Sequence, residues 1–152
     1  MAAKPPYFDT SYLVRLYLRD QGFEAVREIA LGGLVIASAW HAQAEIVSAL
    51  HRAYRDGRIP ESAYFQFLDQ FLHDSKDGLY HWLPLTDGTQ QRLERCFRNA
   101  PATSFVRAAD ALHLACAAEQ GFKEVYSNDR HFLAAAPLFG MKGIDVIGKV
   151  GA

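Results

Sequence analysis

Short apolar or β-branched runs alternate along the chain with longer stretches whose apolar residues recur every three or four positions. The short runs predict five strands: Tyr7-Phe8, Leu34–Ala37, a weaker one over Tyr80–Leu85, Glu124–Ser127 and Ile144–Ile147. The longer stretches predict helices. Leu13, Leu16 and Tyr17 share one face after the first strand, and Val47, Leu50 and Tyr54 share one after the second. Pro60 suits the first turn of a helix carrying Tyr64, Phe67, Leu68 and Phe71. Residues 39–77 are too many for one helix and predict two. Phe105–Ala118 is apolar on nearly every side, as a helix buried against a sheet would be. Strands separated by helices imply βαβ units, right-handed crossovers and a mostly parallel sheet covered on both faces. In such a sheet, ligands bind beyond the carboxyl ends of the strands, where strand order reverses.

Composition narrows the possibilities. The 152 residues amount to one domain, expected to span 1–152, with no repeat or low-complexity segment. Half the residues are hydrophobic and 22% are charged, which excludes disorder as the default state. Sixteen basic residues face seventeen acidic ones, for a net charge of −1, so charge alone does not hold a polyanion. No apolar run approaches the ~20 residues of a membrane span, so no membrane is expected as a partner. No signal-like stretch precedes Tyr7, and Cys96 and Cys116 form no CxxC pair. Together these predict a cytoplasmic protein with reduced thiols. There is no GxGxxG, Walker A or nucleophilic triad.

Four acids occupy positions that invite chemistry. Asp9 follows the first strand and Asp129 the fourth, both directly before a helix. Either could be a helix N-cap, because a short acceptor there satisfies a free backbone N–H. Glu45 lies on the helix after the second strand, among the small neighbours Ala42, Ser48 and Ala49; the alternative is an exposed surface glutamate. Asp110 sits within the apolar helix, where a carboxylate is costly unless paired or bound to metal. Its alternative role is an ion pair with Arg107 three residues earlier. Converging at one sheet edge, these acids would repel one another and have raised pKa values. A divalent cation removes the repulsion, and all-oxygen ligands select Mg²⁺ or Mn²⁺ over zinc.

The segments Tyr-Phe-Asp-Thr-Ser-Tyr-Leu-Val at 7–14, Ala-Glu-Ile-Val-Ser-Ala-Leu at 44–50, Ala-Ala-Asp-Ala-Leu-His-Leu-Ala at 108–115 and Tyr-Ser-Asn-Asp-Arg-His-Phe at 126–132 carry a resemblance. In order and spacing they resemble the PIN domain family, and within it the toxin ribonucleases of VapBC-type toxin–antitoxin pairs. The resemblance implies a three-layer α/β/α sandwich with a parallel five-stranded sheet ordered 3-2-1-4-5. It implies an acidic metal site at Asp9, Glu45, Asp110 and Asp129, with Ser127 and Asn128 beside it. The implied reaction is Mg²⁺- or Mn²⁺-dependent hydrolysis of RNA that leaves 5′-phosphate and 3′-hydroxyl ends. The implied partners are an RNA substrate, a cognate antitoxin and a second copy in a homodimer. The alternatives are a PIN scaffold that binds RNA or protein without cutting, and another Mg²⁺-dependent phosphohydrolase.

Other residues are weighed beside these. Arg15, Arg107 and Arg130 neighbour the acids in sequence and are candidates for phosphate contact. Arg92, Arg95 and Arg98 read as a solvated helix face. His113 and Cys116, three apart, could reach one metal, but no second His/Cys pair completes a zinc set, so core packing is expected. His41 and His131 receive no role.

Overall fold

The computed structural model describes residues 3–33 and 35–148; Leu34, the first residue of the expected second strand, lies outside them. Among the described residues, four strands form in two parallel pairs. Strand β1 (Ile36–Ala39) pairs with β2 (Tyr80–Leu83), placing Ile36 opposite Tyr80. Strand β3 (Glu124–Tyr126) pairs with β4 (Lys142–Ile144), placing Val125 opposite Gly143. Of the expected five-stranded sheet, the described residues show these two pairs, with the first expected strand reduced to isolated bridges between them. Tyr7 and Phe8 make one bridge to each pair, Tyr7 to Ala37 and Phe8 to Tyr126. Four backbone bonds carry that link: Phe8 N to Ala37 O (3.0 Å), Ala37 N to Pro6 O (2.9 Å), Tyr126 N to Tyr7 O (2.8 Å) and Asp9 N to Tyr126 O (3.0 Å). The segment is short for a local reason. Pro5 and Pro6 have no N–H to donate, and Asp9 already caps a helix.

Helices cover the strands on both faces: α1 (Thr10–Leu13, continued by a 3₁₀ turn over Val14–Leu16), α2 (Phe23–Leu31), α3 (Ala42–Arg55), α4 (Glu61–Lys76), α5 (Asp87–Asn99), α6 (Ala108–Glu119) and α7 (Arg130–Ala135). Successive strand residues point to opposite faces. Tyr7, Ala37, Ala39 and Val125 accordingly join Leu114 and Ala117 of α6 and Phe132 of α7 in one core. Phe8, Ile36 and Tyr80 join Tyr12 of α1, Ile46 and Leu50 of α3 and Phe71 of α4 in the other. The two helices expected over 39–77 are α3 and α4, with Pro60 just outside the second as its N-cap. No helix among the described residues is long and apolar enough to cross a membrane.

Three local expectations shift. The buried face of α3 runs through Ala42, Ile46, Leu50 and Ala53, and Val47 is largely exposed. Helix α6 starts at Ala108, leaving Phe105 exposed against His131. The last strand ends at Ile144 because Asp145 is drawn sideways: one carboxylate oxygen accepts from the Tyr12 hydroxyl (2.8 Å) and from Ile147 N (3.0 Å).

A turn before α2 anchors the segment below the strand ends. Gly22 has φ +83°, and a Cβ built there would collide with the Ile147 side chain. Gly22→Ala is expected to destabilise the protein by about 1–3 kcal/mol, from left-handed backbone strain and overpacking. Urea titration checks this; an unchanged midpoint would show that Ile147 yields freely.

Candidate functional site

The four acids arrive from four segments and line one cavity of about 570 Å³, together with Thr10, Ser11, Arg52, Arg107 and His113. Asp9 is the N-cap of α1, so its capping role and its place in the cavity coexist. Its Oδ1 accepts from Tyr12 N (3.2 Å) and from the Ser11 hydroxyl (2.6 Å). Its Oδ2 accepts from the Ser127 hydroxyl (2.5 Å), whose oxygen in turn accepts from Asp129 N (2.9 Å). Ser127, fully buried, thus ties the two strand-end acids together.

Asp129 divides its oxygens in the same way. Oδ1 caps α7, accepting from His131 N (2.8 Å) and Phe132 N (3.1 Å). Oδ2 accepts from Arg107 Nη2 (2.6 Å). Asp110 lies in the first turn of α6, where the helix dipole favours a carboxylate, and not in mid-helix. Its Oδ2 accepts from Arg107 Nε (2.9 Å) and lies 2.8 Å from Nη2 in an ion pair. One guanidinium nitrogen therefore bridges both aspartates. Glu45 Oε1 accepts from the Thr10 hydroxyl (2.9 Å) and from His113 Nε2 (2.7 Å).

Burial and pairing divide the four acids. Burial pushes Asp9 up to about 6 from its ordinary 3.8, and hydrogen bonds from Ser11 and Ser127 limit the rise. Burial also raises Asp110, in spite of Arg107. Glu45 and Asp129 are desolvated too, but the bonds from His113 and Arg107 respectively outweigh this and hold both below the usual carboxylate range. Arg107 is held more strongly protonated, mainly by Asp129.

All four acids offer carboxylate oxygens, the ligand type a hard divalent cation takes, and a protein cation already sits between two of them; among the described residues no three of the four bring ligand atoms within 4.8 Å of one another. Among the described residues, Glu45 Oε2 and Asp110 Oδ1 make no hydrogen bond to the protein. Asp9, Glu45, Asp110 and Asp129 are the residues that could hold such an ion.

The remaining candidates fall elsewhere. Arg15 is buried, its guanidinium spent on Ser11 O (2.6 Å), Gln21 O (2.8 Å) and Asn128 Oδ1 (3.1 Å). Asn128 is a latch between Arg15 and Asp145. Arg130 is exposed and, like Arg15, Ser127 and Asn128, does not line the cavity. Sequence reasoning missed Arg52, although its spacing of seven from Glu45 puts both on one face of α3. It also passed over Thr10 and Ser11, and assigned His113 to core packing. Cys116, once paired with His113 in prospect, turns its thiol to the Leu83 and Pro84 carbonyls.

Comparison with solved structures finds a similar fold in Mycobacterium tuberculosis VapC20, a sarcin–ricin-loop-cleaving toxin. The TM-score is 0.62 and the identity 20%, over 85% of this chain and 93% of that one. No curated protein sequence matches. The PIN domain model matches residues 7–137, most of the chain, and the protein therefore belongs to the PIN domain family.

Proposed function

We propose that this PIN domain is an endoribonuclease dependent on Mg²⁺ or Mn²⁺, the toxin of a toxin–antitoxin pair. One observation supports the reading above the rest: carboxylates from four segments up to 120 positions apart line a single cavity. The fold shared with VapC20, a sarcin–ricin-loop-cleaving toxin, supports it further. On this reading the two parallel pairs and the Tyr7-Phe8 link act as one sheet in the order 3-2-1-4-5, with Asp9 and Asp129 at the reversal.

Asp9, Glu45, Asp110 and Asp129 would hold a hard cation, which would supply positive charge toward a phosphate and lower the pKa of a bound water. The protein's own groups do the rest. Arg107, half-exposed at the rim, and Arg52 on α3 are the cationic side chains lining the cavity, and both suit phosphate oxygens. Ser127 fixes the spacing of Asp9 and Asp129, and His113 holds Glu45. Asp9, ionised above pH of about 6, completes the cup. An antitoxin that occupies the cavity, a homodimer and a cytoplasmic setting belong to the same proposal.

The test is incubation of the purified chain with total RNA, with Mn²⁺ or with EDTA, followed by mapping of the cut ends. Cleavage with Mn²⁺ that leaves 5′-phosphates, and none with EDTA, is expected. Equal cleavage in EDTA would reject a metal-dependent mechanism. In parallel, Mn²⁺ at about 100 times its Kd should stabilise the fold by about 2.7 kcal/mol, a rise in Tm of roughly 5–10 °C.

A further inference from the structure

Beside the acidic cup stands a second donor set of different chemistry. His41, at the N-cap of α3, Glu45 in its first turn and His113 on α6 bring one ligand atom each within 4.8 Å of one another. Glu45 Oε1 lies 2.7 Å from His113 Nε2 and 3.5 Å from His41 Nε2, and the two imidazole centroids are 4.3 Å apart. Two imidazole nitrogens and one carboxylate oxygen form a borderline set, suited to Zn²⁺ and poorly suited to Mg²⁺.

Two further observations favour a ligand here. His41 Nδ1 is buried with no hydrogen-bond partner among the described residues. Among the described residues the ring's one hydrogen bond is from Nε2 to Ala109 O, at 3.1 Å. A buried ring nitrogen left without a partner is costly; an imidazole turned to ligate through Nδ1 would gain that partner and keep the Ala109 bond, while ligation through Nε2 would leave Nδ1 as it is. His113 also has the outer support typical of a ligating histidine. Its Nδ1 lies 2.7 Å from the hydroxyl of fully buried Tyr7, which also reaches His113 O at 3.2 Å. In the metal-free protein Nε2–H donates to Glu45, and Nδ1 shares a hydrogen bond with the Tyr7 hydroxyl. With a cation on Nε2, the ring stays neutral and carries its proton on Nδ1, which donates to Tyr7. The Tyr7 hydroxyl then donates to His113 O, so no donor is stranded.

We infer that His41, Glu45 and His113 form a Zn²⁺ site that draws Glu45 away from the acidic cup. Zn²⁺ binding rests on these residues alone. Its consequence, inhibition of cleavage, rests on the proposed nuclease function.

The experiment uses the full chain stripped with EDTA. Zn²⁺ is titrated by calorimetry, and Co²⁺ by its visible absorption, into wild type, His41→Ala and Asp110→Asn. His41→Ala is preferred to a change at buried His113, which carries core packing as well. One Zn²⁺ per chain is expected. His41→Ala should weaken it at least about tenfold and remove the Co²⁺ bands, while Asp110→Asn leaves both as in wild type. Absence of Zn²⁺ binding would overturn the inference, as would weakening by Asp110→Asn equal to that by His41→Ala. In cleavage assays with Mn²⁺, Zn²⁺ should inhibit wild type at concentrations at least about tenfold below those needed for His41→Ala. If no ion supports cleavage in any variant, the nuclease reading falls and the calorimetric result still decides the Zn²⁺ site.

Discussion

Asp9→Asn is expected to abolish metal-dependent RNA cleavage and, at the same time, to make the metal-free protein more stable at neutral pH. The first effect follows from losing a charged ligand from the cup. Several kcal/mol of transition-state stabilisation correspond to a loss of about 10²-fold or more. The second follows from burial. Asp9 is 4% exposed, and its carboxyl is pushed up to about 6 from 3.8. The native state then holds the proton more tightly than the unfolded chain does. Stability contributed by this group is present below pH of about 4, falls as pH rises to about 6, and stays low above it. The difference is on the order of 3 kcal/mol. Asparagine has the same shape and no charge to bury, so the variant should lack this slope. Thermal melts in EDTA from pH 4 to 8, beside cleavage assays, check both parts. A variant less stable than wild type at pH 7 would mean that the lost bond from Ser127 outweighs the relieved burial.

Arg107→Ala should move metal affinity and catalysis in opposite directions. The guanidinium neutralises Asp110 and Asp129 where a cation would otherwise sit, through contacts of 2.8 and 2.6 Å. Its removal leaves two uncompensated carboxylates, so Mn²⁺ should bind more tightly, by up to about tenfold. The pair is half-exposed and its screened worth is about 1 kcal/mol. Cleavage should nonetheless fall, because a phosphate-facing cation is gone. Calorimetry with Mn²⁺ and measured kcat/KM separate the two. Weaker Mn²⁺ binding in the variant would show that Arg107 shapes the cup and does not compete within it.

The strand-end acids were legible because two local signals coincide at each. An apolar run stops, and a short acceptor opens a helix. What sequence could not display is that a carboxylate has two oxygens, so capping and lining the cavity are not rival roles at Asp9 and Asp129. The start of α6 was misjudged because Phe105 and Val106 continue its apolar character, while Arg107 at the N-cap makes no side-chain capping bond to announce the boundary. The last strand was set too late because Ile144, Val146 and Ile147 alternate well. Only the distant Tyr12 hydroxyl reveals why Asp145 leaves the ladder. His113 was assigned to packing for the same kind of reason. Its partners Tyr7 and Glu45 lie 106 and 68 positions away, and no window along the chain contains them. Arg15 shows the converse error, since nearness in sequence to Asp9 was mistaken for nearness to the cavity.

The narrow link at Tyr7-Phe8 has a consequence for robustness. The halves bearing Glu45 and Asp129 are stitched across a waist two residues wide, with one aromatic ring pressed into each core. Loosening either ring would slacken the backbone link between the strand pairs and let the carboxylates spread, so the proposed chemistry can be blunted from the greasy interior without altering a single charge.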